Sequence, residues 1–156
     1  FAQTPAPSWD GQSYAPALRG GSAGRDALVL SQNCHVCQRG VRFGPWMYVR
    51  TYHDGYHLFD REMLFDIERD PHEQHNLAAE RRDICTQAAA HLLDWHDEMM
   101  ATQLDGYTLD PMRTVLAEGG PEHARGRLRK YCEYLEQTGR GWAIDELRKR
   151  HPREFA

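Results

Sequence analysis

The chain has 156 residues, 40% of them hydrophobic and 27% charged, and 19 Lys and Arg set against 23 Asp and Glu leave a net charge of −4. That balance suits an ordinary globular domain with a modest core, and the scattered arginines argue against a nucleic-acid partner. No apolar run approaches the roughly 18–20 residues that cross a bilayer, so no membrane partner is expected.

Residues 1–26 are rich in Gly, Pro, Ser and Ala without a sustained period, and they are expected to form a connecting segment. Ala27–Leu30 is a short apolar run between turn residues, as a buried strand would be. Ser31–Gly40 follows as a polar loop. Val41–Tyr52 carries strand alternation interrupted by Gly44-Pro45, which predicts a bulge or two strands joined by a tight turn. Asp54-Gly55 is a strong hairpin signal that would turn this strand back along Tyr56–Phe59.

Met63, Phe65 and Ile67 alternate with Leu64 and Asp66 in a further strand, and Asp70-Pro71 ends it. From Arg81 to Thr102, Ile84, Ala88, Leu92, Trp95 and Met99 recur at spacings that define one helical face. Such a face needs the sheet as its partner. Beyond Leu104, short helices are expected over Arg113–Glu118, over Lys130–Gln137 with Tyr131, Tyr134 and Leu135 on one side, and over Trp142–Arg150. The fold expected is α+β: a small antiparallel sheet of about four strands packed on one long helix, followed by shorter C-terminal helices. Its expected parts are residues 1–26, 27–103 and 104–156.

The order Leu64-Phe65-Asp66-Ile67-x-x-Asp70-Pro71-x-Glu73-x-x-Asn76-Leu77 resembles the signature near the C-terminal end of the sulfatase family. Asp10-Gly11-Gln12-Ser13 and Leu18-Arg19-Gly20 are similar to pieces that follow the catalytic domain in that family. Val41–Val49 also fits its sheet, with Met47 in place of a lysine. The resemblance runs from about Trp9 to Ala79 and the helix after it. It implies the C-terminal subdomain of an enzyme hydrolysing sulfate esters or sulfamates, those of carbohydrates being a natural guess.

By the same resemblance, an upstream catalytic domain would be the partner. It would hold the formylglycine and the calcium, with no cofactor expected in this chain. The start at Phe1 accords with that expectation. The family's nucleophile motif Cys-x-Pro-x-Arg and its metal-binding aspartates have no counterpart here, so the chain alone is expected to be inactive. Related phosphonate and phosphodiester hydrolases are the alternative within the superfamily. The compartment, cytoplasmic or periplasmic, is left open.

Two further sets of residues bear on chemistry. Cys34-x2-Cys37, fifteen residues, then His53-x3-His57 fits the two-cysteine, two-histidine zinc spacing. His53 and His57 flank a predicted hairpin rather than lying on a helix, so a zinc or interaction module is kept as an alternative from another class. The preferred reading places His35, Arg39, His53 and His57 on polar loops as donors to a sulfate or a sugar hydroxyl. Cys85 and Cys132 fall in helical patterns and are expected to be buried thiols.

Overall fold

The computed structural model describes residues 11–22, 24–101 and 109–156. Trp9 and Asp10 of the first sulfatase-like piece, and the Leu104 boundary, lie outside the described residues. After a short helix α1 (Ala15–Leu18), strands β1 (Ala27–Gln32), β2 (Cys37–Phe43), β3 (Trp46–His53) and β4 (Glu62–Asp66) form an antiparallel meander in sequence order. Helix α2 (Arg82–Ala101) covers one face of it. The α+β class, the four strands, the long helix and the shorter C-terminal helices are all present.

The register explains which face is covered. Val29 pairs with Val41, Val41 with Tyr48, and Tyr48 with Leu64. That row meets Ile84, Cys85, Ala88 and Leu92 of α2 in the first core. The Tyr48 ring is fully buried, and its hydroxyl donates to Glu62 Oε1 at 2.6 Å. The Glu62 carboxylate is held at a pKa of about 2, chiefly by that hydrogen bond and by those from Arg50 and Arg82.

Three expectations need correction. The polar loop expected over Ser31–Gly40 shrinks to residues 33–36, because β2 pairs with both neighbours along its length. Arg39 therefore sits in a central strand rather than a loop. Asp54-Gly55 does not open a hairpin into Tyr56–Phe59, for the strand that pairs with β3 is Glu62–Asp66. Asp54 Oδ1 instead accepts the Tyr56 N–H at 2.9 Å, and Gly55, Tyr56 and Leu58 all take positive φ, so residues 54–61 leave the sheet as a loop. Lastly, the residue of β4 that enters the core under α2 is Leu64; Met63 and Phe65 point to the opposite face.

The stretch that closes the sheet is held by its polar residues. Asn76 Oδ1 accepts from the N–H groups of Leu64 and Ala78, each at 3.0 Å. Its amide nitrogen donates to Asp60 and to the Glu62 carbonyl. Asp66 caps the Arg69 N–H, and Asp70 accepts from the His75 N–H. The strand, the rigid turn and the helix are thus stitched together by side chains bonding to backbone.

The C-terminal residues build a second core. Helices α3 (Pro111–Ala117), α4 (Leu128–Gln137) and α5 (Ile144–Arg150), with one-turn 3-10 segments at Gly141–Ala143 and Pro152–Phe155, follow in order. Leu128, Cys132, Leu135, Ala143, Ile144 and Leu147 are buried around Tyr56. The Tyr56 hydroxyl donates to the Ala124 carbonyl at 2.6 Å. On α4 the buried side is Leu128, Cys132 and Leu135, whereas Tyr134 is 52% exposed, because the loop at Tyr56 and Leu58 sets which side of α4 is covered. Cys85 and Cys132 are buried, as expected. Among the described residues, no helix is long and apolar enough to cross a membrane.

Candidate functional site

The loop of residues 54–61 lies between the two cores, and histidines gather at its base. Gly55 makes the close approach possible. A Cβ there would sit 2.5 Å from the His35 carbonyl oxygen, so only glycine lets the β1–β2 loop touch this turn. His35 and His57 are thereby stacked with ring centroids 4.6 Å apart. His123, from the segment before α4, also lies flat against His35, at 4.5 Å and an interplanar angle of 4°.

His53 ends β3 and is not part of that trio. It joins Asp54 and His151 in a second grouping, with the His151 ring 4.7 Å from its own. Gly120 fits against the His53 ring, since a Cβ would lie 2.5 Å from its atoms. Of the four expected site residues, His35 and His57 come together, while His53 and Arg39 go elsewhere. Arg39 makes a two-pronged ion pair with Asp110, at 2.8 and 3.0 Å, donates to Ser31 Oγ, and stacks over Trp95 at 4.7 Å. Its side chain is only 8% exposed, so its fork is fully engaged within the fold.

The two histidine groupings differ in what their polar atoms do. Around Asp54 both carboxylate oxygens are engaged. Oδ1 accepts from His151 Nε2 at 2.8 Å and from the Tyr56 N–H, and Oδ2 accepts from Arg150 at 3.1 Å. Burial alone would raise the Asp54 pKa, but the hydrogen bonds from His151, the Tyr56 N–H and Arg150 outweigh it and hold it at about 2. His53 Nδ1 accepts from the Gly55 N–H at 3.1 Å, and burial lowers its pKa, followed by the proximity of His151.

The trio of His35, His57 and His123 is different. His123 Nδ1 lies 3.3 Å from the Cys34 carbonyl oxygen, which has no proton to give, so Nδ1–H is the donor. Its Nε2 is screened from solvent and has no hydrogen-bond partner. A buried polar atom left this way costs about 1–3 kcal/mol. Burial, then His35 and His123, lower the pKa of His57, which favours the neutral ring. The trio opens onto a cleft of about 320 Å³ that Arg127, Lys130 and the Tyr131 and Tyr134 rings also line.

Cys34 and Cys37 do not join either histidine set. Among the described residues, the groupings able to hold a metal are His35, His57 and His123, and His53, Asp54 and His151. Cys37 is wholly buried in β2, and burial raises its thiol pKa, whereas Cys34 is exposed. His123 and His151 escaped the sequence reading because they lie in the irregular C-terminal region, far along the chain from the loops they meet. The available signal was a histidine directly after Gly119-Gly120-Pro121-Glu122, in a chain with nine histidines. No protein-family model and no curated protein matches this chain.

Proposed function

We propose that this chain is the C-terminal subdomain of a sulfatase, docking on an upstream catalytic domain and lining one wall of its pocket. The observation that carries the reading is the use made of the signature residues. Asp66, Asp70 and Asn76 are spent on the strand–turn–helix that closes the sheet, which gives the resembling residues a shared structural role. A second support is the sheet face opposite α2. Leu28, Leu30, Met47, Val49 and Met63 lie on it by register, and Leu28 and Leu30 are 41% and 44% exposed. A neighbouring domain would cover that apolar face.

In the full enzyme, formylglycine and calcium in the catalytic domain would supply the nucleophile and charge neutralisation for sulfate ester hydrolysis. This chain would contribute the cleft, where His35, His57, Arg127 and Lys130 offer donors to an anionic sugar and the Tyr131 and Tyr134 rings offer a stacking surface. Arg39 is left out of this wall because Asp110 occupies it.

The test is to express the chain together with its natural upstream sequence. Assays against aryl sulfates, sulfated monosaccharides, phosphodiesters and phosphonates would follow. A sulfate ester should be cleaved fastest, and His57→Ala should raise KM for a sulfated sugar more than for an aryl sulfate. An upstream sequence without Cys-x-Pro-x-Arg would sink the proposal, and a preference for phosphorus esters would move the chain to the related hydrolases.

A further inference from the structure

We propose that His35, His57 and His123 form a binding site for one divalent transition-metal ion of the zinc class, with an open coordination position toward the cleft. The candidate ligand atoms of the three rings all lie within 4.8 Å of one another. Zinc–nitrogen bonds of about 2.0–2.1 Å would place tetrahedral ligands about 3.3–3.4 Å apart. Closing the trio therefore takes side-chain rotations that bring ring nitrogens closer by about 1 Å and turn His35 out of its parallel stack on His123. His35 and His57 are exposed on loops and have that freedom.

His123 is the member already set in place. Its Nδ1–H is directed at the Cys34 carbonyl, and this leaves the Nε2 lone pair to face a ligand it does not have in the protein alone. A histidine oriented by a backbone carbonyl through one nitrogen is the arrangement that metal sites use to present the other. The second grouping makes the contrast. There Asp54 is paired with His151 and the Tyr56 N–H, His53 Nδ1 accepts from the Gly55 N–H, and Arg150 places a positive charge on the carboxylate. A cation there would have to displace the His151 and Arg150 contacts to the carboxylate.

The donor set selects the ion. Imidazole nitrogens suit zinc, copper and nickel, whereas calcium and magnesium take oxygen ligands. Three protein ligands leave a position for water or an anion. Arg127 and Lys130 line the same cleft, so their charge opposes the cation and favours an anionic fourth ligand. The three ligands come from the β1–β2 loop, the β3–β4 loop and the segment before α4. An ion here would also tie the C-terminal helices to the sheet. The inference does not rest on the family reading; it departs from the expectation that this chain holds no metal of its own.

The experiment uses the whole chain stripped of metal with a chelator. Zn²⁺ is titrated by calorimetry, and Co²⁺ is followed by its visible absorption. One equivalent should bind, and His57→Ala and His123→Ala should each weaken binding by at least about tenfold. His75→Ala, on the exposed signature turn, should leave affinity unchanged. Since His123 adjoins Ala124 of the second core, His57→Ala on the exposed loop is read with its circular dichroism, and imidazole nitrogen spectra of the wild type should report His123 ligated at Nε2. Binding lost in Cys34→Ser but kept in His57→Ala would overturn the assignment. So would the absence of any saturable binding at millimolar ion. A sulfatase assay that fails while zinc binds would remove the family reading alone.

Discussion

The unit formed by β1–β4 and α2 and the unit formed by the C-terminal helices are each organised around a buried tyrosine, yet they are built differently. Tyr48 lies in a strand, and its neighbours Val41 and Leu64 come to it through the ladder while α2 closes over it. Tyr56 lies in a loop with positive φ, and its neighbours come from helices far along the chain. The first core follows from periodic patterns within short windows. The second depends on one loop being inserted among helices that it meets only in the fold. A core of the second kind is tied down by a few polar contacts, and here they converge on Asp54.

The largest effects should come from emptying either core. Leu64→Ala and Leu128→Ala each remove a fully buried side chain and should each cost about 2–5 kcal/mol. Hydrogen exchange separates them. Leu64→Ala should expose amides throughout β1–β4 and α2, and Leu128→Ala should free α4 and α5 while the sheet stays protected. Loss of sheet protection in Leu128→Ala would mean that the two cores fold as one cooperative unit.

Next in size is the acid response of the junction. The folded pKa of Asp54, about 2, lies below its ordinary 3.8, so the unfolded chain takes up this proton first as pH falls. The contribution is complete above about pH 5, shrinks as pH drops through 3.8, and is gone below about 2. It amounts to roughly 2 kcal/mol. Glu62 in the sheet unit titrates similarly, from 4.5 to about 2. Urea midpoints between pH 3 and 6 should therefore fall in the wild type. In Asp54→Asn they should fall less steeply, with the C-terminal helices already loosened at neutral pH. An unchanged slope would place the acid sensitivity in the sheet unit alone.

This contrast also accounts for what could be read in advance. The α2 face, the Gly44-Pro45 turn and the Asp70-Pro71 stop were legible because helix period, turn chemistry and proline act within a few residues. The loop of residues 54–61 was not, because Asp-Gly is equally suited to a hairpin and to the Asp54–Tyr56 side-chain turn, and only the demand of the second core for Tyr56 decides between them. His35 and His57 were picked out as polar loop residues. Their partner His123 needed the docking of the C-terminal region, to which no local pattern points.

Within the sheet unit, Asn76→Ala should be the most costly polar change, at about 1–3 kcal/mol, because it strands the Leu64 N–H that would otherwise be satisfied. The expected signature is faster exchange at Leu64 and Ala78 and an early loss of the α2 start on heating. Asn76→Asp keeps the acceptor and should recover most of the loss. If it does not, the contacts from the Asn76 amide nitrogen to Asp60 and Glu62 hold the turn instead.

The smallest expected effect tests the link between the sheet and α3. Arg39→Lys keeps the buried charge opposite Asp110 but replaces a planar fork by a single ammonium, so one of the two bonds to that carboxylate is lost, as are the Ser31 contact and the guanidinium over Trp95. Asp110 also caps α3 by accepting the Met112 N–H at 3.0 Å, and Arg39 is the first cause of its lowered pKa. The substitution should cost about 1 kcal/mol and raise exchange in α3 while leaving α4 and α5 untouched, because their attachment runs through Tyr56 and Asp54. Binding of sulfate or of a sulfated sugar should be unaltered, since the Arg39 side chain is 8% exposed and its fork is held by Asp110. A weaker sulfate affinity in Arg39→Lys, with α3 exchange unchanged, would instead mean that Asp110 releases the guanidinium to the ligand. The ion pair would then be a latch on the site and no longer a strut between the sheet and α3.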